Sequence, residues 1–368
     1  MKPSKAAANI LHKQWGPEVV RQYIGAYRQS YFAYAEDAGI RHGAASGGVI
    51  TALLDYALSS KRIGGALVCR STVVDGRVVP QFVIATDRQT LMAAQGSKYT
   101  AVNFNRDALP LIRAFKGCLA MVALPCDLTN LRSLAQHDDA IREKVALTIG
   151  LFCGHNSRPE LTEMIVDKLR PAGAALTDYR YRQGHWRGEL EARFDNGQVI
   201  RKPFSYFSDY QNLFYFCQEK CHHCHDHAAY EADISIGDIW SMRMKENPIK
   251  HNAVIVRTDA GVKIFEAALG AGAIQGQPET IAETCEGQAR SMPFHYNVSA
   301  RARAGEKLGM SIKDPLGVPV RWTDFLIARM ALKNEMFSRG TQGMKKVASI
   351  PRFVLKLKLY VMKGLESI

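Results

Sequence analysis

The spacing of apolar and polar residues changes period several times along the chain, and each change marks an element. A polar, partly helical lead-in runs to about residue 42 and contains a short strand at Ser30 to Ala35. From Ala45, the apolar positions Val49, Ile50, Leu53, Leu54 and Ala57 fall at helical spacing until Gly64-Gly65 ends them, and Ala66 to Val74 then reads as a strand. Asp75-Gly76 turns the chain into a second strand near Val79 to Ala85, and a short helix from Asp87 leads to Gly96-Ser97-Lys98-Tyr99. Beyond it, helix (about 106 to 116), strand (119 to 124), helix (127 to 136), strand (145 to 152) and helix (159 to 169) alternate as parallel βαβ units do, and the short apolar strands predict burial on both faces.

Between Tyr179 and Phe204 two alternating segments flank Asp195-Asn196-Gly197, a hairpin signal that predicts an antiparallel arm. An aromatic helix (Tyr206 to Phe216), a cysteine cluster, strands at Asp233 to Gly237 and Ala253 to Arg257, and a helix to about Leu269 follow, with the globular part closing near Pro319. The expected fold is α/β: a mixed, partly parallel sheet with flanking helices, an antiparallel arm, and a C-terminal basic helical tail.

Composition adds three constraints. With 47% hydrophobic and 23% charged residues, the 368-residue chain is expected to fold around a sizeable core, and its length allows two subdomains sharing a cleft. No apolar run is long enough to span a bilayer, and Met1 to Glu18 lacks the apolar core of a secretory signal, so a reducing, cytoplasmic location is expected. Of the net charge of +13, Arg321 to Ile368 carries +7, which points this tail at an acidic partner. Its Arg352, Lys356 and Lys363 fall on one side of a helix and Ile350, Phe353, Val354, Leu357 and Val361 on another, a pattern suited to peripheral contact with the inner membrane face. A terminal helix packed on the body is the alternative. Nucleic acid is disfavoured, because the excess charge sits mostly outside the globular part.

Eight cysteines in a reducing compartment direct attention to metal or redox chemistry rather than to disulfides. Cys221-His222-His223-Cys224 can present two thiolates to one metal or cluster. Cys126 and Cys153 each follow a predicted parallel strand, at the sheet edge where ligands bind. Together the four make the usual complement of a [4Fe-4S] cluster. Cys217 could replace Cys126 or Cys153, and zinc on Cys221, Cys224 and one of His222, His223, His225 or His227 is the chemical rival. Cys69, Cys118 and Cys285 read as small buried hydrophobes.

Ser46-Gly47-Gly48 opens a helix with backbone N–H groups suited to a phosphate or pyrophosphate, although a Ser followed by glycines is also an ordinary helix start. Gly96-Ser97-Lys98-Tyr99 offers a flexible turn, a cation and an aromatic ring to an anionic planar cofactor, and Lys98 could stabilise charge on a reduced flavin. A solvated surface lysine is the plain reading of Lys98 taken alone.

Ala45-Ser46-Gly47-Gly48-Val49-Ile50-Thr51-Ala52-Leu53-Leu54, Gly96-Ser97-Lys98-Tyr99, Pro125-Cys126, Gly150-Leu151-Phe152-Cys153-Gly154, Cys221-x-x-Cys224 and Ala232-Asp233-Ile234-Ser235-Ile236-Gly237-Asp238-Ile239-Trp240 occur in this order. Over roughly residues 25 to 290 the chain thereby resembles the coenzyme F420 hydrogenase/dehydrogenase beta-subunit family, to which 7-hydroxymethyl chlorophyll a reductase is related. The resemblance implies FAD held by Ser46, Gly47, Gly48, Thr51, Gly96, Ser97, Lys98 and Tyr99, with Lys98 catalytic, and a [4Fe-4S] cluster on Cys126, Cys153, Cys221 and Cys224. It implies an oxidoreductase that moves electrons between an organic hydride substrate, coenzyme F420-like or other, and a one-electron redox partner protein, ferredoxin-like or a hydrogenase or dehydrogenase subunit. The division that goes with it is a lead-in over 1–42, an N-terminal flavin-binding subdomain over 43–124, a C-terminal iron-sulfur subdomain over 125–319 and the basic helical tail over 320–368.

The chain departs from the family pattern in lacking a C-x-x-C-x-x-C run near its N-terminus, in having Asp127 where Gln is expected, and in following Cys224 with His225-Asp226-His227. The first departure implies one cluster per chain. A zinc-stabilised nucleic-acid-binding protein and a non-catalytic partner protein are the competing readings.

Overall fold

The computed structural model describes residues 23–241, 244–288 and 291–367, without the side chains of residues 285 and 367. The predicted lead-in lies outside these residues as far as residue 22, as does the side chain of Cys285. In chain order the strands are β1 (Gln29–Ala35), β2 (Gly65–Val74), β3 (Arg77–Ala85), β4 (Leu119–Ala123), β5 (Val145–Leu151), β6 (Leu176–Gln183), β7 (Glu189–Phe194), β8 (Val199–Pro203), β9 (Ile234–Asp238), β10 (Asn252–Val256) and β11 (Ile274–Glu279). Eight of them form one mixed sheet in the order β11-β1-β10-β9-β5-β4-β2-β3, and β6-β7-β8 form the arm. The centre is parallel: β2 pairs with β4, β4 with β5 and β5 with β9, while both flanks are antiparallel.

Alternation along the strands sets the two layers. Ala66, Val68, Ala120, Leu147, Ile149, Ile234 and Ile236 bury one face with Leu53, Leu54 and Ala57 of helix Val49–Ser59 and Ile264 and Phe265 of helix Asp259–Gly270. Leu67, Leu119, Met121 and Ala123 bury the other against Ile112, Leu128, Leu131 and Ile141.

Three departures from the expected elements have local causes. The arm has three strands, because Gly184 and Gly188, both at positive φ, turn the chain between β6 and β7 within what reads as one alternating segment. The aromatic helix ends at Gln211, and Phe214 and Phe216 then take left-handed φ values of 63° and 58°. Ser338 Oγ holds this turn by accepting the Phe216 N–H at 2.8 Å. Strand β11 is polar and contains Pro278, which its place at the sheet edge tolerates.

The basic helices pack onto the body. Ile327, Ala331, Val347, Leu355 and Met362 share one buried cluster with Leu161, Tyr181 and Phe207. Glu335, fully buried on helix Trp322–Phe337, is paired with Arg158 and Arg339.

Candidate active site

Two of the predicted cysteines arrive at the same edge of the parallel strands. Cys126 sits in the first turn of helix Pro125–Ala135, directly after β4, and Cys153 is the second residue after β5. Phe152 lies across Gly237, where any Cβ would collide with its ring, so the strand glycine lets Phe152 settle on β9 beside Cys153. Cys221 lies in the short turn Glu219–His223, and Cys224 leaves that turn in extended conformation. The Cys153 N–H donates to the His227 carbonyl at 3.0 Å, and His227 Nδ1 bonds back to the Cys153 carbonyl at 3.1 Å, stitching the C-x-x-C loop to the end of β5. The Asn156 N–H donates to Cys221 Sγ at 3.4 Å.

The four sulfurs lie within electrostatic reach of one another. Cys153 feels Cys221, Cys224 and Cys126, and Cys224 feels Cys221 and Cys126. Burial pushes the thiols of Cys126 and Cys224 up to about 12 and that of Cys153 well above its ordinary value, each raised further by neighbouring negative groups. Cys221 is shifted the other way, by its hydrogen bond with Cys217 first and, against burial, by the Asn156 N–H. Cys217 is thus a fifth thiol in the same place, fully buried among aromatic rings. Cys69 and Cys118 lie elsewhere, their sulfurs against the Arg70 and Arg62 carbonyls. Among the described residues no group of three or more His, Cys, Asp or Glu side chains is arranged to hold a metal ion.

The glycine and lysine segments meet each other. Thr51 Oγ1 accepts from Gln95 Nε2 at 3.2 Å, and Gln95 also donates to the Ile40 carbonyl at 3.0 Å. Ser46 Oγ donates to the His251 carbonyl at 2.7 Å, and Asn252 Oδ1 accepts the Val49 N–H at 3.2 Å. A Cβ on Gly47 would stand 2.8 Å from the Ala33 carbonyl oxygen, and Gly48 has φ 81°. Both glycines are therefore needed by the packing of this loop on β1 and β10, whatever else the loop holds. Gly96 and Ser97 remain partly open. Lys98 Nζ donates to the carbonyls of Ala94, Gln95 (3.1 Å) and Gly96 (2.9 Å), closing its own turn, and burial pulls its ammonium down to about 8. Tyr99 turns its ring among Tyr181, Phe204 and Phe207 at centroid distances of 5.2–5.7 Å.

Arg182, on the arm, joins these pieces. Its guanidinium makes a two-pronged pair with Asp238 at 2.6 and 2.8 Å, donates to the Ala45 carbonyl at 2.5 Å and to Tyr99 Oη at 3.5 Å, and lies 4.8 Å from the Trp240 ring centroid. From Tyr99 the chain steps directly to the cysteines: Thr100 bridges Ser157, and Asn156 Nδ2 donates to the Thr100 carbonyl at 3.3 Å while its backbone N–H serves Cys221. A groove of about 840 Å³ opens between the arm and residues 248–250 and is lined by Arg41, His42, Arg180, Arg193, Arg201 and Lys250 together with Glu189 and Glu191. Two of these cations, Arg193 and Arg201, are already paired with Glu191.

Four residues of this site belong to none of the sequence motifs. Lys220, next to Cys221, stands 3.7 Å from Asp127; burial opposes its charge, but Cys126 and Asp127 outweigh burial and raise its pKa. Arg301 donates to the carbonyls of His222 at 2.8 Å and Cys224 at 2.6 Å from 77 residues beyond Cys224. Asn156 and Arg182 act through a backbone N–H and a long-range ion pair. Only Lys220 had a local cue, its position one residue before the C-x-x-C.

Residues 30–107 match the N-terminal family model, and residues 117–281 the C-terminal one, of the coenzyme F420 hydrogenase/dehydrogenase beta subunit. The coenzyme F420 hydrogenase subunit beta of Methanothermobacter thermautotrophicus is 28% identical over 267 residues, 69% of this chain and 86% of that protein. Its namesake from Methanosarcina barkeri is 26% identical over 262 residues, 70% and 84% of the two chains. A chain of the F420-reducing [NiFe] hydrogenase complex from Methanosarcina barkeri shares the fold, with a TM-score of 0.61 at 22% identity over 80% of this chain and 98% of that one. Sequence and fold agree, and this chain belongs to the coenzyme F420 hydrogenase/dehydrogenase beta-subunit family of oxidoreductases.

Proposed function

We propose that the protein moves electrons between an organic hydride substrate, of the coenzyme F420 type or related to it, and a one-electron redox partner protein. In this reading residues 43–124 bind FAD, through Ser46, Gly47, Gly48, Thr51 and Gly96–Tyr99, and residues 125–319 bind a [4Fe-4S] cluster on Cys126, Cys153, Cys221 and Cys224. The observation that carries it is the convergence of four thiols from three chain segments at the end of the parallel strands, joined through Thr100 and Asn156 to Tyr99. The names of the relatives, which include a coenzyme F420-dependent sulfite reductase from Methanocaldococcus jannaschii, support the substrate type.

The donor set fits such a cluster. Four cysteine sulfurs in mutual reach, two cations beside them and a backbone N–H on Cys221 suit an anionic, thiolate-bound centre. A cluster is wider than a single ion, whose sulfur ligands would gather about 2.3 Å from a zinc. When bound, the flavin would exchange a hydride with the substrate and the cluster would pass electrons singly. The residues around them prepare the site: Asn156 steadies the Cys221 sulfur, burial excludes water, Lys98 holds a positive charge on its turn, and the cationic groove suits an anionic ligand. Anaerobically purified protein should contain about one FAD and about four irons per chain. A colourless preparation containing zinc would overturn the reading.

We further propose that the outward face of helix Arg352–Ser367 contacts a membrane surface. Leu355 and Met362 are buried, whereas Phe353, Leu357 and Tyr360 are 72%, 60% and 76% exposed and Val361 is exposed beside them. At about 100° per residue these four fall on one side, opposite Leu355 and Met362, with the exposed Lys356 on the flank. An apolar, aromatic-bearing stripe bordered by cations on a segment of net +7 complements an anionic lipid interface. No helix among the described residues is long and apolar enough to cross a membrane, so the contact is peripheral. Deleting the helix would strip the core of Leu355 and Met362, so substitution is the cleaner test. F353S/L357S/Y360S should reduce cosedimentation with phosphatidylglycerol-containing vesicles about tenfold or more, since each apolar side chain buried contributes about 1.5–3 kcal/mol. Equal pelleting of variant and parent would reject the assignment.

A further inference from the structure

Arg301 lies on helix Val298–Glu306, beyond the segment matched by the C-terminal family model, which ends at residue 281. It is only 1% exposed. Among the described residues it makes no ion pair with a carboxylate; instead the guanidinium donates to the carbonyls of His222, Cys224 and Phe294 and lies 3.8 Å from the Phe294 ring centroid. A buried cation without a carboxylate is costly unless an anion lies nearby. Its partners place it against the C-x-x-C loop itself, at the carbonyls of His222 and of Cys224. Two of its bonds hold the backbone on either side of His223, so the guanidinium clamps the C-x-x-C loop that carries Cys221 and Cys224.

We propose that Arg301 is the counter-cation and positioning residue of the iron-sulfur cluster, holding the Cys221–Cys224 loop and raising the cluster's reduction potential. The inference rests on the cluster reading above. A reduced cluster carries one more negative charge than an oxidised one, so a fixed buried cation favours the reduced form. The test is a redox titration of anaerobically purified wild type, Arg301→Lys and Arg301→Gln, followed by electron paramagnetic resonance, with iron counted in each.

At the wild-type midpoint, Arg301→Gln should lower the ratio of reduced to oxidised cluster about tenfold, about 59 mV for one electron. Arg301→Lys, which keeps the charge, should stay within about threefold of wild type, a rescue that a purely structural role would not require. An unchanged midpoint in Arg301→Gln, or equal shifts in both variants, overturns the proposal. Should Arg301→Gln fail to retain iron, Arg301→Lys must retain at least about half of the wild-type iron, and its failure to do so overturns the proposal as well. Wild type without iron would overturn the cluster reading itself, and this inference with it, an outcome distinct from every one above.

Discussion

Alanine at Cys126, Cys153, Cys221 or Cys224 is expected to reduce bound iron and the cluster's visible absorption to background. Each sulfur comes from a backbone position that the others cannot replace: the first turn of a helix after β4, the residue after Phe152, and two points of a loop pinned to Cys153. Alanine at Cys69, Cys118 or Cys285 should leave iron unchanged. Flavin should survive in the first group, because its proposed segments are held by Asn252, Gln95 and Arg182 rather than by the cysteines. Cys217 is the discriminating position. Its thiol is fully buried and donates to the Gln218 carbonyl, so Cys217→Ala should retain iron at a stability cost of about 1 kcal/mol for the lost packing. Loss of iron in Cys217→Ala together with its retention in Cys126→Ala or Cys153→Ala would show that the ligand set is wrong.

Arg182→Met should destabilise the protein by about 3–5 kcal/mol, because it leaves Asp238 without its partner at a largely buried site. The side chains are 2% and 25% exposed, and the pair is two-pronged. The same change releases the Ala45 carbonyl and Tyr99 Oη, so FAD retention should fall with stability. Urea denaturation of Arg182→Met, Asp238→Asn and the double variant measures the coupling, and the double variant should lose less than the sum of the two single losses. A loss under about 1 kcal/mol in Arg182→Met would place the pair with exposed ion pairs and remove its role as the tie between arm and sheet.

These two experiments probe different kinds of information. Helix Val49–Ser59, strands β2, β4 and β5 and helix Pro159–Leu169 were legible in the sequence, because each buries a face that recurs with the period of its own backbone. Cys126 and Cys153 could be placed at one sheet edge for the same reason, since a parallel strand must end where its apolar run ends. The family pattern was legible in the order of short motifs.

Tertiary structure decided the rest. Strand β11 has no apolar alternation of its own and exists because β1 offers it an edge. The turn at Phe214 and Phe216 stands because Ser338, 122 residues from Phe216, accepts a backbone N–H there. The terminal basic helix could be read as a membrane-contacting helix or as one packed on the body, and only the fold placed its Leu355 and Met362 in the core. In the site, Lys98 turned onto the carbonyls of residues two to four before it, the glycines of Gly47-Gly48 acquired a packing reason, and Arg182 and Arg301 appeared without any local cue. Periodicity and motif spacing record what a residue does with neighbours a few positions away. A buried cation and its partner, 56 residues apart for Arg182 and Asp238, leave no such record, because only the folded chain excludes the water that would otherwise screen them.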